Sequence, residues 1–250
     1  YGASEQELGL AFSKININEQ VKCITKLHPS FAFNSFYDLQ RNVQESLDKL
    51  NINCLWGLLI HRPNIVGQWN NLLDGVDRLK KLNLIKYFGV SVYKPEDAKR
   101  FAFDKYIDVI QVPFNVMDRR LIDNNFFDVA RKNNKRIFIR SIFLQGLLLM
   151  NKKQLIDKQM GWTLEYMNLL LDFVQSRSLD LQTFSLNAVL KKIPYANFII
   201  GIESADQLKQ NLDSILVNEF PVEDDFFEWW SKLPILPQTL LDPSLWPKTV

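Results

Sequence analysis

The chain has 250 residues, 47% of them hydrophobic and 23% charged, and its formal net charge is +2. That size and composition suit one soluble domain with a substantial core, since α/β barrels reach this length as single units. A charge so close to neutral excludes a broad basic footprint for nucleic acid or an anionic membrane surface. The apolar runs are too short to span a bilayer, and no secretory leader is expected. Cys23 and Cys54 are too few for a disulfide framework and match no metal-ligand spacing. Both lie in apolar runs, so they are expected to be buried free thiols in a reducing, cytoplasmic setting.

The chain opens on YGASEQELGLAF, read as a polar loop running straight into a helix. VKCITKL (21–27) is the first strand-like run. Residues 35–50 follow as a helix, with Phe36, Leu39, Val43, Leu47 and Leu50 at three- and four-residue spacings along one stripe. CLWGLLIH (54–61) and YFGVSV (87–92) are the second and third strands. Lys94-Pro95-Glu96-Asp97 starts a helix, because the fixed φ of Pro and two acids near the dipole both favour a first turn. DVIQVPF (108–114) is a strand, 123–134 a helix, and RIFIRSIF (136–143) the next strand. Helices at 163–178 and 180–191 precede the strand NFIIGI (197–202), and Ser204 to Asn211 begins another helix on a capping serine. Residues 214–250 leave this rhythm as a C-terminal extension that contains a short acidic helix, EDDFFEWWSKL (223–233).

Runs this continuously apolar mark strands buried on both faces, and their alternation with helices predicts a parallel α/β sheet. No linker or shift of composition divides the chain, so a single domain over 1–250 is expected. The reading yields six strands, whereas a closed (β/α)8 barrel has eight. Two arrangements account for this: an open doubly wound sheet, or a barrel whose first two strands and one helix, about 40 residues, precede the chain.

In parallel α/β folds, functional side chains gather at the C-terminal ends of the strands. Those ends read Thr25-Lys26, His61-Arg62-Pro63, Ser91, Gln111, Arg140-Ser141 and Gly201, a polar set on otherwise apolar segments. An ammonium at Lys26 is costly in a dry setting unless its charge is used. Beside a Tyr hydroxyl it would lower the phenol pKa and make a better proton donor. His61 could donate to a developing alkoxide, while His28, followed by Pro29, is expected in a loop.

YGASEQELG, ITKL, SLDKLNINCLWGLLIHRP, GVSVYKPEDAKR, DVIQVPFN, RSIFLQGLLL and FIIGIESADQLKQNL, in this order, resemble successive segments of the aldo-keto reductase family. The resemblance implies a TIM (β/α)8 barrel with six of its eight strands present, and an enzyme that reduces an aldehyde or ketone with hydride from NADP(H), or alternatively NAD(H). It assigns Tyr1 as the proton donor, Lys26 as the residue that lowers the Tyr1 pKa, and His61 as the group that orients the carbonyl. Ser91 and Gln111 would bind the nicotinamide carboxamide. The segment from Arg140 through Ser141 and Phe143 to Gly146 would follow the pyrophosphate. The segment from Gly201 to Ser204, with Gln207 and Asn211, would hold the adenosine end at a helix N-terminus, where backbone N–H groups suit phosphate. The implied partner is a small carbonyl compound, sugar-sized if the pocket is open.

The chain departs from the family pattern at four places. The family's catalytic Asp lies a few residues before the Tyr, which here is residue 1; a truncated chain, inactive as given, is the expectation. Val92 stands where many members have Asn, and Arg140 where many have an aromatic on the nicotinamide. Gly201 and Gln207 stand where many have Lys and Arg on the 2′-phosphate; Lys209 nearby reads as a solvated helix face. Trp229, Trp230 and Trp246 could wall a substrate pocket or pack elsewhere, and are not assigned to the site. The rival functions are a nucleotide-binding regulatory module with little turnover, and another TIM-barrel enzyme such as a lyase or isomerase.

Overall fold

The structure is a computed structural model that describes residues 3–17, 20–61, 68–215 and 224–247. It contains six strands: β1 (Ile24–Leu27), β2 (Leu55–Ile60), β3 (Ile85–Ser91), β4 (Val109–Pro113), β5 (Arg136–Arg140) and β6 (Asn197–Phe198). They follow one another in chain order, and the pairs β1–β2, β2–β3, β3–β4 and β5–β6 are parallel. A doubly wound sheet reverses its strand order at a switch point. The uninterrupted order β1 to β6 has no such point, so it matches the barrel arrangement and not the open one.

The chain divides into two compact units, Tyr1–Gln111 with Ala130–Arg136, and Val112–Val129 with Ile137–Val250. In the first, strands alternate with α1 (Ser4–Ile15), α2 (Phe36–Leu50), α3 (Trp69–Lys81) and α4 (Pro95–Ala102). α2 begins where Ser35 accepts the N–H of Asp38, and ends on left-handed Asn51. Its stripe buries Leu39, Val43, Leu47 and Leu50, at roughly 1.5–3 kcal/mol for each side chain. Phe36 is only half-buried and lies under the guanidinium of Arg78, 3.6 Å from the ring centre. α1 starts at Ser4, earlier than the loop reading expects. α3 has no counterpart among the elements expected from sequence, although it buries Leu72, Leu73, Val76 and Leu79; Gly75 in its middle weakens the helical signal.

Asp108 fixes the start of β4. Its carboxylate accepts from Lys80 Nζ at 2.7 Å and from the Phe88 N–H at 2.9 Å. Its backbone N–H donates to Phe88 O, and its carbonyl accepts from the Arg136 N–H. Nearby, Lys135 Nζ donates to the carbonyls of Asp104 and Ile107, and burial pushes this ammonium below the usual lysine range. Cys23 and Cys54 are free thiols, as expected, but each is half-buried because it lies just ahead of its strand.

The second unit includes α5 (Arg120–Asp123), α7 (Lys152–Asp157), α8 (Leu164–Gln175), α9 (Leu181–Lys192), α10 (Ala205–Ile215), α11 (Asp224–Lys232) and α12 (Gln238–Leu241). The helix expected over 123–134 is instead α5 followed by α6 (Phe126–Lys132), because Asn125 turns left-handed between them. β5 stops at Arg140, where Ser141 takes φ 62°. β6 spans two residues, extended by a bond from the Ile199 N–H to Ile139 O. As the last strand in the order it pairs, among the described residues, with β5 alone, and Ile199 and Ile202 are exposed. The tryptophans of α11 join a core: Trp230 stacks on Phe226 at 5.6 Å, Trp229 meets Phe173 at 4.6 Å, and Phe114 lies 5.7 Å from Trp230. Arg119 ties α11 down by donating to the carbonyls of Trp230 and Ser231.

A Cβ on Gly89 would stand 2.0 Å from Val109 O, so β3 and β4 pair this closely only with glycine there. Gly89→Ala is therefore expected to destabilise the protein by about 3 kcal/mol or more, read from a shifted urea midpoint.

Candidate functional site

In the first unit, parallel register places Lys26 of β1 opposite Leu59 of β2 and Leu27 opposite Ile60. His61 follows Ile60 directly, so Lys26 and His61 sit at the same end of adjacent strands. Both line one cleft of about 590 Å³, with Glu5 and Glu45 also in its wall. Lys26 is half-buried, less enclosed than a residue in the dry mouth that its apolar strand suggests. Glu5, in the first turn of α1, accepts a hydrogen bond of 2.6 Å from Thr25 Oγ1, tying that helix to the strand that carries Lys26. His28 is exposed and closes a turn with Ser30, as a loop residue would. Tyr1, the expected proton donor, lies outside the described residues, as does Arg62.

Ser91 ends β3 and Gln111 lies in β4; the two are register partners. Ser91 Oγ donates to Gln111 Oε1 at 3.0 Å, and both side chains are buried. This bond leaves the Gln111 amide N–H groups as donors and the Ser91 oxygen as acceptor. A carboxamide presents the matching acceptor and donor. The same bond also ties β3 to β4 without any ligand. Val92, the neighbouring departure, is buried, and its N–H donates to Gln111 O.

The second unit holds a separate cleft of about 640 Å³ formed by the segments after β5 and β6 and the start of α10. Arg140, Ser141, Phe143, Gly146, Gly201, Gln207 and Asn211 all line it. Arg140 Nη1 donates to Ser141 Oγ at 3.2 Å. Ser141, Leu144, Gln145 and Gly146 adopt positive φ, and the turn is closed by the Leu144 N–H donating to Ser141 O at 2.9 Å. Asn211 is buried, and its Oδ1 accepts from Gln182 Nε2 at 3.0 Å. Ser204 is absent from the lining and serves as a helix cap, accepting the Gln207 N–H at 3.2 Å. Gln182 lines the cleft without being singled out by sequence, since a polar residue at a helix start looks like an ordinary solvated position, and Glu203, inside the expected segment Gly201 to Ser204, lines it too. Among the described residues no cluster of His, Cys, Asp or Glu could hold a metal, and no helix is long and apolar enough to cross a membrane.

The sequence model of the aldo/keto reductase family matches residues 1–233. Among solved structures, the chain is similar to the aldo-keto reductase AKR11C1 from Bacillus halodurans. Its apo form gives a TM-score of 0.73 at 20% identity and its holo form 0.72 at 21%, each covering 91% of this chain and 76% of the other. The thermostable aldo-keto reductase Tm1743, in complex with the inhibitor epalrestat, gives 0.70 at 20% identity over 92% of this chain and 77% of its own. No curated protein sequence matches the chain. The structural likeness and the strand order make the fold that of a TIM barrel, with six of the eight strands present among the described residues.

Two expectations follow. Gly146 has φ 84° and open space where an alanine methyl would stand, so Gly146→Ala costs strain and not a clash. A loss of about 1–2 kcal/mol is expected in denaturant unfolding. Burial, then the Glu5 carboxylate, pushes the Cys23 thiol above its ordinary value of 9.0. A raised pKa delays the thiolate, so alkylation of Cys23 should keep accelerating above pH 9.0, and Glu5→Gln should move that profile to lower pH.

Proposed function

Because the chain belongs to the aldo/keto reductase family, whose chemistry is oxidoreduction of carbonyl compounds, we propose that it reduces an aldehyde or ketone, of sugar size, with Tyr1 as the proton donor. The reading is carried by Lys26 and His61, which line one cleft from the ends of adjacent strands. When bound, a reduced nicotinamide dinucleotide supplies the hydride that arrives at the carbonyl carbon. Either NADP(H), which the resemblance implies, or NAD(H) serves this chemistry, since they differ only at the ribose 2′ position.

The chain's own residues do the rest. The Tyr1 hydroxyl gives its proton to the carbonyl oxygen as negative charge develops there. The Lys26 ammonium, by stabilising phenolate, lowers the Tyr1 pKa towards neutrality and makes that proton easier to give. His61 donates to the same oxygen and fixes the orientation of the carbonyl. Ser91 and Gln111 take the nicotinamide carboxamide through the acceptor and donor their mutual bond leaves. Arg140, Ser141, Phe143 and Gly146 hold the pyrophosphate, the guanidinium meeting phosphate charge. Gly201, Gln207 and Asn211 take the adenosine end, with Ser204 holding the helix start in place.

The test uses the full-length protein. Intrinsic fluorescence should report binding of a reduced nicotinamide dinucleotide, and a panel of aldehydes and keto-sugars should then oxidise it. Tyr1→Phe should lower kcat by about 10²–10⁴ and leave coenzyme Kd nearly unchanged. Binding of neither coenzyme sinks the proposal. Binding without turnover on any carbonyl replaces it with the nucleotide-binding module. An active Tyr1→Phe variant removes the role given to Tyr1.

A further inference from the structure

The charges in the second unit's cleft disagree with a coenzyme that carries a 2′-phosphate. Among the described side chains in its wall, Arg140 is the cation and Glu203 the carboxylate. Arg140 belongs to the end of β5, the part read as the pyrophosphate site. Glu203 belongs to the approach to α10, the part read as the adenosine site. The polar groups there are already engaged with one another. Ser204 Oγ accepts the Gln207 N–H at 3.2 Å, and Gln207 Oε1 accepts the Glu203 N–H at 2.8 Å. The helix end thus has fewer N–H groups to offer an anion, and Asp206 adds a second carboxylate in the first turn. Lys209 is exposed and does not line the cleft, whose wall on α10 is made by Gln207, Gln210 and Asn211.

A phosphate monoester carries about −1.5 to −2 charge at neutral pH. Beside Glu203 it meets like charge, and among the described residues no basic side chain lines that part of the cleft to offset it. A free ribose 2′-hydroxyl meets the opposite situation, because a carboxylate is the acceptor it needs; acidic residues select NAD in this way in dinucleotide-binding folds. We propose that Glu203 makes this cleft selective for NAD(H) over NADP(H), accepting the 2′-hydroxyl and repelling a 2′-phosphate. The inference rests on the reading of the cleft as the coenzyme site.

The full-length protein is titrated with NADH and NADPH by intrinsic fluorescence, and with AMP and 2′,5′-ADP as fragments that isolate the adenosine end. NADH should bind on the order of tenfold more tightly than NADPH, with AMP favoured over 2′,5′-ADP in the same sense. The preference should narrow at high salt, because Glu203 is exposed and its field is screened. Glu203→Arg should reverse or abolish the preference, mainly by tightening NADPH and 2′,5′-ADP. NADPH binding as tightly as NADH in the wild type overturns the inference, and so does a preference that Glu203→Arg leaves unchanged. Binding of neither dinucleotide overturns the coenzyme reading itself, a result distinct from either of these.

Discussion

The register between β3 and β4 depends on one half-buried carboxylate. Asp108 receives Lys80 and the Phe88 N–H on its side chain, while its own peptide groups pair with Phe88 and Arg136. An ion pair at this depth is retained by its additional hydrogen bonds more than by raw attraction, since desolvation offsets much of the Coulomb gain. With that corner held, Gly89 faces Val109 and Ser91 faces Gln111. A slip of one residue would turn Gln111 to the other face of the sheet and dissolve its bond with Ser91. The polar pair at the C-terminal end is therefore set by a charge at the N-terminal end of the same strands.

Much of the candidate chemistry uses neutral groups that satisfy one another. Ser91 binds Gln111, Gln182 binds Asn211, and Ser204 binds the N–H of Gln207. The first two pairs keep the buried Ser91, Gln111 and Asn211 side chains from being left without partners, which would cost about 1–3 kcal/mol each. They also fix which lone pair or N–H remains for a ligand. Among the described residues, charge lines the first cleft at Glu5, Lys26, Glu45 and Lys49, and the second at Arg140 and Glu203. Where hydrogen bonds dominate the wall, each of those charges has a large say in which ligand is accepted.

The strands are legible in the sequence because a parallel sheet covered on both faces demands unbroken apolar runs, and LWGLLI and VIQVP supply them. Lys26 and His61 stand out for the same reason, as polar residues at the ends of such runs. α2 is legible from its stripe, whereas α3 is hidden by Gly75 in its middle. The run NFIIGI reads as a longer strand than β6 because apolar content does not say whether a second neighbour is present. Asn125, Leu144 and Gln145 carry left-handed backbone that composition does not announce. Tyr1 comes from the family resemblance alone, since no strand or stripe singles it out.

The helix end at α10 shows why a motif and its chemistry can part. A helix N-terminus attracts anions through N–H groups that lack intrahelical partners. Here the sequence places a capping serine, a reaching glutamine and two acids around that end, so the same geometry that favours phosphate elsewhere is partly closed by its own side chains. The backbone dipole still points outward, but its positive end faces Glu203 and Asp206. On the proposed coenzyme reading, such an end suits hydroxyls that can donate to a carboxylate better than it suits a 2′-phosphate.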